Sequence, residues 1–239
     1  MTGMDKPEGI IDITEVLRYL GAGQNAPPNL RRQVTNTSNR LMSSVQPRWT
    51  WRAFTLFREN RADTALRGGF FLYAPGQESA VLTLDGKTAD TMLSSCTRAV
   101  LMACTLGTGF DNLLRSSQAR AMSDAVILDA CGSAWVEAGC GMAEQEIAER
   151  FPSLYLTDRF SPGYGDLPLT LQRDICGLLD TPRRLGVTVT DSLLLNPAKT
   201  VTAIIGVSVR PQMARVRGCG YCAMRENCAI RERGQVCTG

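Results

Sequence analysis

Apolar residues recur at helical spacings near the start of the chain and at alternate positions in several later segments. Residues 12–20 are predicted to form a short helix, because Asp12 can cap its first turn and Val16, Leu17 and Leu20 make an apolar stripe. A second helix is predicted to open at Pro27-Pro28 and to run to about Val45, since proline is tolerated in a first helical turn.

Strands are indicated where apolar residues alternate with polar ones or form short continuous runs. In residues 48–58 the pattern places Trp49, Trp51, Ala53, Thr55 and Phe57 on one face. Strict alternation at 200–209 predicts a half-buried strand. The predicted strands cover residues 48–58, 69–73, 81–84, 99–106, 187–195 and 200–209. Further helices are predicted from near Thr88, over 111–118, over most of 120–150, and around Ile175, Leu178 and Leu179.

These elements are mixed without a regular strand–helix–strand repeat. The sequence therefore predicts an α+β fold with an antiparallel or mixed twisted sheet and flanking helices. We predict three segments: an N-terminal helical segment at 1–47, an α+β core at 48–210, and a cysteine-rich tail at 211–239.

The helix predicted at 120–150 is rich in small residues over 130–141, including Gly132, Gly139 and Gly141. Glycine inside a helix costs about 1 kcal/mol relative to alanine, so several together indicate that something packs very close. Two interpretations are open: another helix packs there, or a ligand lies against the helix backbone.

Composition and charge limit the partners and the side-chain chemistry that this chain can have. The net charge of +3 is too small to indicate nucleic acid as a partner, and no apolar run is long enough for a membrane span. With no secretory signal recognised, we expect a soluble cytoplasmic protein.

The chain has no histidine, which excludes imidazole bases and imidazole metal ligands. It has nine cysteines, and in a cytoplasmic protein these favour thiol or metal chemistry over a disulfide framework.

One irregular segment combines several ligand-binding residue types between 158 and 168. The Arg159 guanidinium can hold a carboxylate through two parallel hydrogen bonds. Beside Pro162, Gly163 lets the main chain approach a ligand or take positive φ, and Tyr164 can face a sulfonium or a flat base. Turn composition alone also accounts for Pro162 and Gly163, so an ordinary turn is the alternative.

The pattern Arg159-x-x-Pro162-Gly163-Tyr164 resembles the Arg-Pro-Ala-Pro-Gly-Tyr signature of the activation, or reactivation, domain of vitamin B12-dependent methionine synthase. The segments 185–193 and 196–206 resemble two further segments of that domain. The chain is more similar still to small stand-alone proteins of this family from anaerobic bacteria. The features it shares with them lie at 15–21, 103–107, 128–133 and 159–168, and the resemblance extends over roughly 12–210.

The resemblance implies an activation-domain fold and a site for S-adenosylmethionine formed by Arg159, Pro162, Gly163 and Tyr164. It also implies a cobalamin-binding methionine synthase, or another corrinoid protein, as the partner that carries cobalamin, with flavodoxin or ferredoxin as a possible reductant. Two positions depart from the family. An acidic ligand contact on the long helix is replaced by Ser133, with Glu137 one turn later, and a tyrosine after the final strand is replaced by the tail.

Four of the nine cysteines stand in the last 21 residues, separated by two, five and eight residues. These are Cys219, Cys222, Cys228 and Cys237. Thiolates at such a density predict a site for an iron–sulfur cluster or zinc, although the spacing matches no common motif. A reduced, metal-free tail is the alternative. The other five cysteines lie among apolar or small residues and are predicted to be buried.

Two functions therefore follow from the sequence. The first is a reactivation module that binds S-adenosylmethionine and supports reductive remethylation of a corrinoid, a role associated with a methyltransferase. The second is an electron-transfer or adaptor protein that docks to a corrinoid protein through this fold and uses an iron–sulfur or zinc site in its tail.

Overall fold

The computed structural model describes residues 10–58 and 69–211. Its α-helices are α1 Ile13–Tyr19, α2 Pro28–Ser44, α3 Lys87–Leu93, α4 Gly107–Arg120, α5 Met122–Arg150, α6 Leu171–Leu179 and α7 Thr181–Leu185. Its strands are β1 Arg48–Arg58, β2 Phe70–Tyr73, β3 Leu82–Leu84, β4 Arg98–Thr105, β5 Tyr155–Leu156, β6 Thr188–Val189, β7 Leu195–Asn196 and β8 Thr200–Ser208.

Six strands form one sheet in the order β3-β2-β1-β4-β8-β5, and β6 pairs with β7 separately. The pairs β1–β2, β2–β3, β5–β8 and β6–β7 are antiparallel. Thr97 donates to the Val207 carbonyl at 3.0 Å and Leu106 to the Lys199 carbonyl at 2.9 Å, as in an antiparallel pairing of β4 with β8. The α+β class with an antiparallel sheet and flanking helices, predicted from the sequence, is confirmed.

The described residues divide into two compact units along the chain. The first contains 10–50, 103–147 and 180–201, and the second contains 51–58, 69–102, 148–179 and 202–211. The predicted division at 47/48 and 210/211 stays a prediction.

In the first unit, α5 is the central element, and apolar residues are buried all along it. The Trp135 indole donates to the Val45 carbonyl at the end of α2 at 2.7 Å. A Cβ on Gly132 would lie 2.2 Å from the Phe110 ring, and one on Gly139 would lie 2.5 Å from the Pro47 ring. The protein itself therefore packs against both glycines, which answers the question that the small residues raised.

In the second unit, the apolar core includes Phe54, Phe70, Leu72 and Met92, each at most 2% exposed. Phe54 and Leu56 are the buried residues of β1, whereas Phe57 is 58% exposed. The buried side chains of β1 therefore lie on the face opposite the one that carries Trp51 and Phe57.

Two strand predictions were wrong in detail. The segment 187–195 is not one strand: it holds β6, a turn and the first residue of β7. Strand β8 is buried on both faces from Thr202 to Ser208. Its small residues Ala203 and Gly206 and its hydroxyl residues are compatible with burial, so alternation alone misjudged the environment.

Candidate functional site

The segment that carries the predicted ligand residues begins as an extended strand beside β8. The Thr157 amide donates to the Gly206 carbonyl at 3.0 Å, and the Gly206 amide donates to Thr157 Oγ1 at 2.9 Å. Phe160 and Ile204 then exchange both backbone hydrogen bonds, at 3.0 and 2.8 Å. These bonds fix the backbone on both sides of Arg159 against a buried strand.

After Ser161 the chain makes a compact loop held by its own backbone. Tyr164 donates to the Ser161 carbonyl at 3.1 Å, Gly163 to the Leu167 carbonyl at 2.9 Å, and Leu167 to the Tyr164 carbonyl at 3.0 Å. Gly163 has φ +85°, a conformation that other residues rarely adopt, as its predicted role in the loop requires. The ligand contact predicted for Gly163 stays a prediction.

The four predicted ligand residues differ in exposure. Pro162 is buried, Gly163 is exposed, and Arg159 and Tyr164 are half-buried. A half-buried guanidinium and a half-buried ring combine a supported side chain with a surface that a ligand could still contact. Arg159 and Tyr164 also take part in interactions within the protein.

Two buried oxygens flank the loop without a hydrogen-bond partner in the described part of the chain. They are Oδ2 of Asp158, just before Arg159, and Oε1 of Gln172, in the first turn of α6. Burying an acceptor without a partner costs about 1–3 kcal/mol, so these two atoms reduce the local stability beside the loop.

The C-terminal part of the loop is hydrogen-bonded to α3. The Asp166 carboxylate accepts hydrogen bonds from the amides of Lys87 at 2.6 Å and Thr88 at 2.9 Å. A Cβ on Gly86 would lie 2.8 Å from Asp166, and one on Gly165 would lie 2.4 Å from the Thr88 hydroxyl. Both glycines permit this approach, and the sequence alone did not reveal it.

The fold resembles one solved structure that bears on the site, titled the crystal structure of the MetH reactivation domain bound to AdoHcy. The match has a TM-score of 0.60 at 15% sequence identity and covers 91% of this chain and 76% of that one. The chain has the fold of the MetH reactivation domain. No protein-family model matches the sequence, and no curated protein matches it significantly.

The likeness to this family that the sequence motifs suggested is therefore supported at the level of the fold. The further likeness to stand-alone proteins from anaerobic bacteria stays a prediction. AdoHcy, S-adenosylhomocysteine, is the ligand of the matched reactivation domain. Whether Arg159, Pro162, Gly163 and Tyr164 bind such a ligand in this chain is not tested by the fold.

In this chain's version of the reactivation-domain fold, Ser133 on α5 accepts a hydrogen bond from a lysine side chain. Lys199 donates to Ser133 Oγ at 2.8 Å and forms an ion pair with Asp129 Oδ1 at 3.0 Å, and its side chain is only 16% exposed. This cluster lies within the first unit. The sequence identified Ser133 as a departure but missed Lys199, which is 66 residues away along the chain.

The predicted metal ligands Cys219, Cys222, Cys228 and Cys237 lie outside the described residues. Within 10–58 and 69–211, no group of three or more cysteine or acidic side chains could hold a metal ion. Cys104, Cys131, Cys140 and Cys176 are buried and Cys96 is half-buried, and all five are reduced. Burial raises the pKa of the Cys96 thiol to about 11 and also raises that of Cys131, so both are unreactive thiols.

Even the 29-residue α5 is not apolar enough to cross a bilayer, and the same holds for every helix in the described ranges.

Proposed function

We propose that this chain binds S-adenosylmethionine and serves as the reactivation module of a corrinoid-dependent methyltransferase, such as a cobalamin-dependent methionine synthase. The fold of a reactivation domain supports this proposal, together with a rigid loop that presents Arg159 and Tyr164. The observation that carries it is the coincidence of the two: the motif residues stand on a loop that is fixed at both ends within that fold.

Each of the four predicted ligand residues in the loop has a role in this proposal. The Arg159 guanidinium holds the ligand carboxylate, and the Tyr164 ring lies against the sulfonium or the base. Pro162 and Gly163 shape the turn between them.

Bound S-adenosylmethionine would supply an activated methyl group, and cobalamin carried by the partner would receive it. The chain itself contributes orientation, since holding a reacting group in place lowers the barrier to transfer. It contains no histidine to act as an imidazole base, so its contribution is positioning and charge complementarity. The electron that reduces the corrinoid would come from flavodoxin, from ferredoxin or from a centre in the tail.

A second candidate function rests on the cysteine density of the tail. In this alternative, the fold serves as a docking scaffold for a corrinoid protein, and an iron–sulfur or zinc site at Cys219, Cys222, Cys228 and Cys237 transfers electrons or stabilises an adaptor.

The test is a calorimetric titration of the full chain, purified without oxygen, with S-adenosylhomocysteine and with 5′-methylthioadenosine, which lacks the amino-acid part. Arg159→Ala should weaken binding of the first ligand roughly 10- to 100-fold, as expected for a charge-assisted hydrogen bond, and leave the second nearly unchanged. Arg173→Ala, on the exposed side of α6, is the matched control.

Absence of binding by the parent protein would reject the proposed function. Equal losses for the two ligands in Arg159→Ala would instead show that Arg159 shapes the loop without holding the carboxylate.

A further inference from the structure

A groove of about 340 Å³ lies between α2, α4 and α5, and all its lining residues belong to the first unit. The lining residues recur every three or four positions along each helix, so one face of each helix contributes. The floor is apolar and is formed by Leu41, Ile127 and Leu128, all of them buried. A volume of this size is at the lower end of the range for small-molecule sites.

The lining of the groove on α2 and α4 includes short polar residues. They are Thr37 and Ser44 on α2 and Ser116 and Ser117 on α4. Helices that pack closely fill such positions with apolar side chains that interdigitate. Hydroxyl groups here leave a gap and line it with hydrogen-bond donors.

Two arginines, Arg40 on α2 and Arg120 at the end of α4, also line the groove. Both are exposed, and neither guanidinium has an ion-pair or hydrogen-bond partner elsewhere in the described residues. The single acidic residue of the lining is Asp124. The charged lining residues of the groove therefore sum to a net positive charge, and the groove also has hydroxyl donors and an apolar floor.

We propose that this groove is a second ligand site, which binds a small phosphate monoester with an apolar or aromatic body. Guanidinium groups bind phosphate oxygens through paired hydrogen bonds, and hydroxyl groups add further donors. The apolar body of the ligand would cover Leu41, Ile127 and Leu128. Inorganic phosphate lacks this part and a neutral aromatic alcohol lacks the charge, so each should bind more weakly.

The probes are phenyl phosphate, inorganic phosphate and benzyl alcohol, titrated into the full chain by calorimetry or by NMR. Phenyl phosphate should bind at least several-fold more tightly than either of the others. Arg40→Gln and Arg120→Gln should each weaken its binding roughly tenfold or more, in line with the loss of a charged hydrogen bond. Arg31→Gln on α2 and Arg115→Gln on α4, which do not line the groove, should change it by less than twofold.

All four arginines are exposed, so the variants should fold, and thermal denaturation checks this. The proposal is overturned if the parent does not bind phenyl phosphate at millimolar concentration, or if the groove and control variants bind alike. Equal binding of inorganic phosphate and phenyl phosphate would also overturn it, since it would indicate an adventitious ion only.

Discussion

At the scale of single residues, Asp166 stabilises the loop by capping a helix that begins 79 positions earlier in the chain. Gly86 at the start of α3 has no side chain to accept from the first free amides of the helix, and Asp166 takes that role for Lys87 and Thr88. Hydrogen bonds from Thr88, led by its hydroxyl, and from the Lys87 amide lower the pKa of Asp166 to about 2.

Because the folded-state pKa of Asp166 lies below its ordinary value of 3.8, its contribution to stability is present above pH 3.8. That contribution is lost as the pH falls towards 2. We expect Asp166→Asn to lower the free energy of unfolding at neutral pH by about 1 kcal/mol, as for a lost helix cap. The difference from the parent should shrink between pH 4 and 2 in denaturant titrations.

Asp174→Asn, at an exposed site on α6, is the control for loss of one negative charge. A difference between Asp166→Asn and the parent that stays constant down to pH 2 would contradict this account.

The sequence could predict single-residue roles only where the reason is local. Positive φ at Gly163 and the cap at Asp12 depend on near neighbours in the chain, and both were predicted. The hydrogen bonds of Asp166 and Lys199 join residues 66 to 79 positions apart, so no local pattern contains them.

At the scale of elements, the long helix α5 uses its glycines in two different ways. Gly132 is buried against the Phe110 ring, whereas a Cβ on Gly141 would meet nothing within 4 Å. The first glycine is required by packing and the second is not. Sequence alone could not separate them, because both lie in the same run of small residues.

We therefore expect opposite effects from the same substitution at these two sites. Gly132→Ala should lower the free energy of unfolding by about 1–3 kcal/mol through overpacking, while Gly141→Ala should raise it by up to about 1 kcal/mol through helix propensity. Chemical denaturation of the two variants and the parent measures both changes. Equal shifts of the same sign would show that the contact with Phe110 does not limit packing.

Strand existence was easier to predict than strand environment. Alternation identified β1 and β8 and an apolar run identified β4, but the two-sided burial of β8 depends on the elements that cover both faces of the sheet. The hairpin of β6 and β7 was missed because its turn, with Leu193 at φ +64°, carries no glycine or proline to indicate it.

At the scale of the whole molecule, the order of short sequence motifs along the chain indicated a fold that the overall sequence identity hardly reveals. The matched reactivation domain is 15% identical, yet the segments at 159–164, 185–193 and 196–206 resemble that family's motifs in the same order. The segments with glycine, proline or charged residues at fixed positions retain a pattern, whereas core positions accept many apolar residues. The ligand and the partner are not encoded in that architecture.

The tail gives a prediction at the same scale. If Cys219, Cys222, Cys228 and Cys237 hold a metal centre, the chain purified without oxygen should contain stoichiometric zinc, or iron with acid-labile sulfide. Replacing all four by serine should abolish it, while Cys96→Ser should not. Elemental analysis and the visible absorption spectrum measure this, and a metal-free parent would reject the electron-transfer alternative.

The cap that Asp166 places on α3 also has a consequence for the order of folding. A contact between residues 79 positions apart can form only after a large loop of chain has closed, which is entropically slow. If the contact forms only after the rate-limiting step, its loss will accelerate unfolding and hardly change refolding. In that case the end of the loop at 158–168 is among the last parts of the second unit to become ordered.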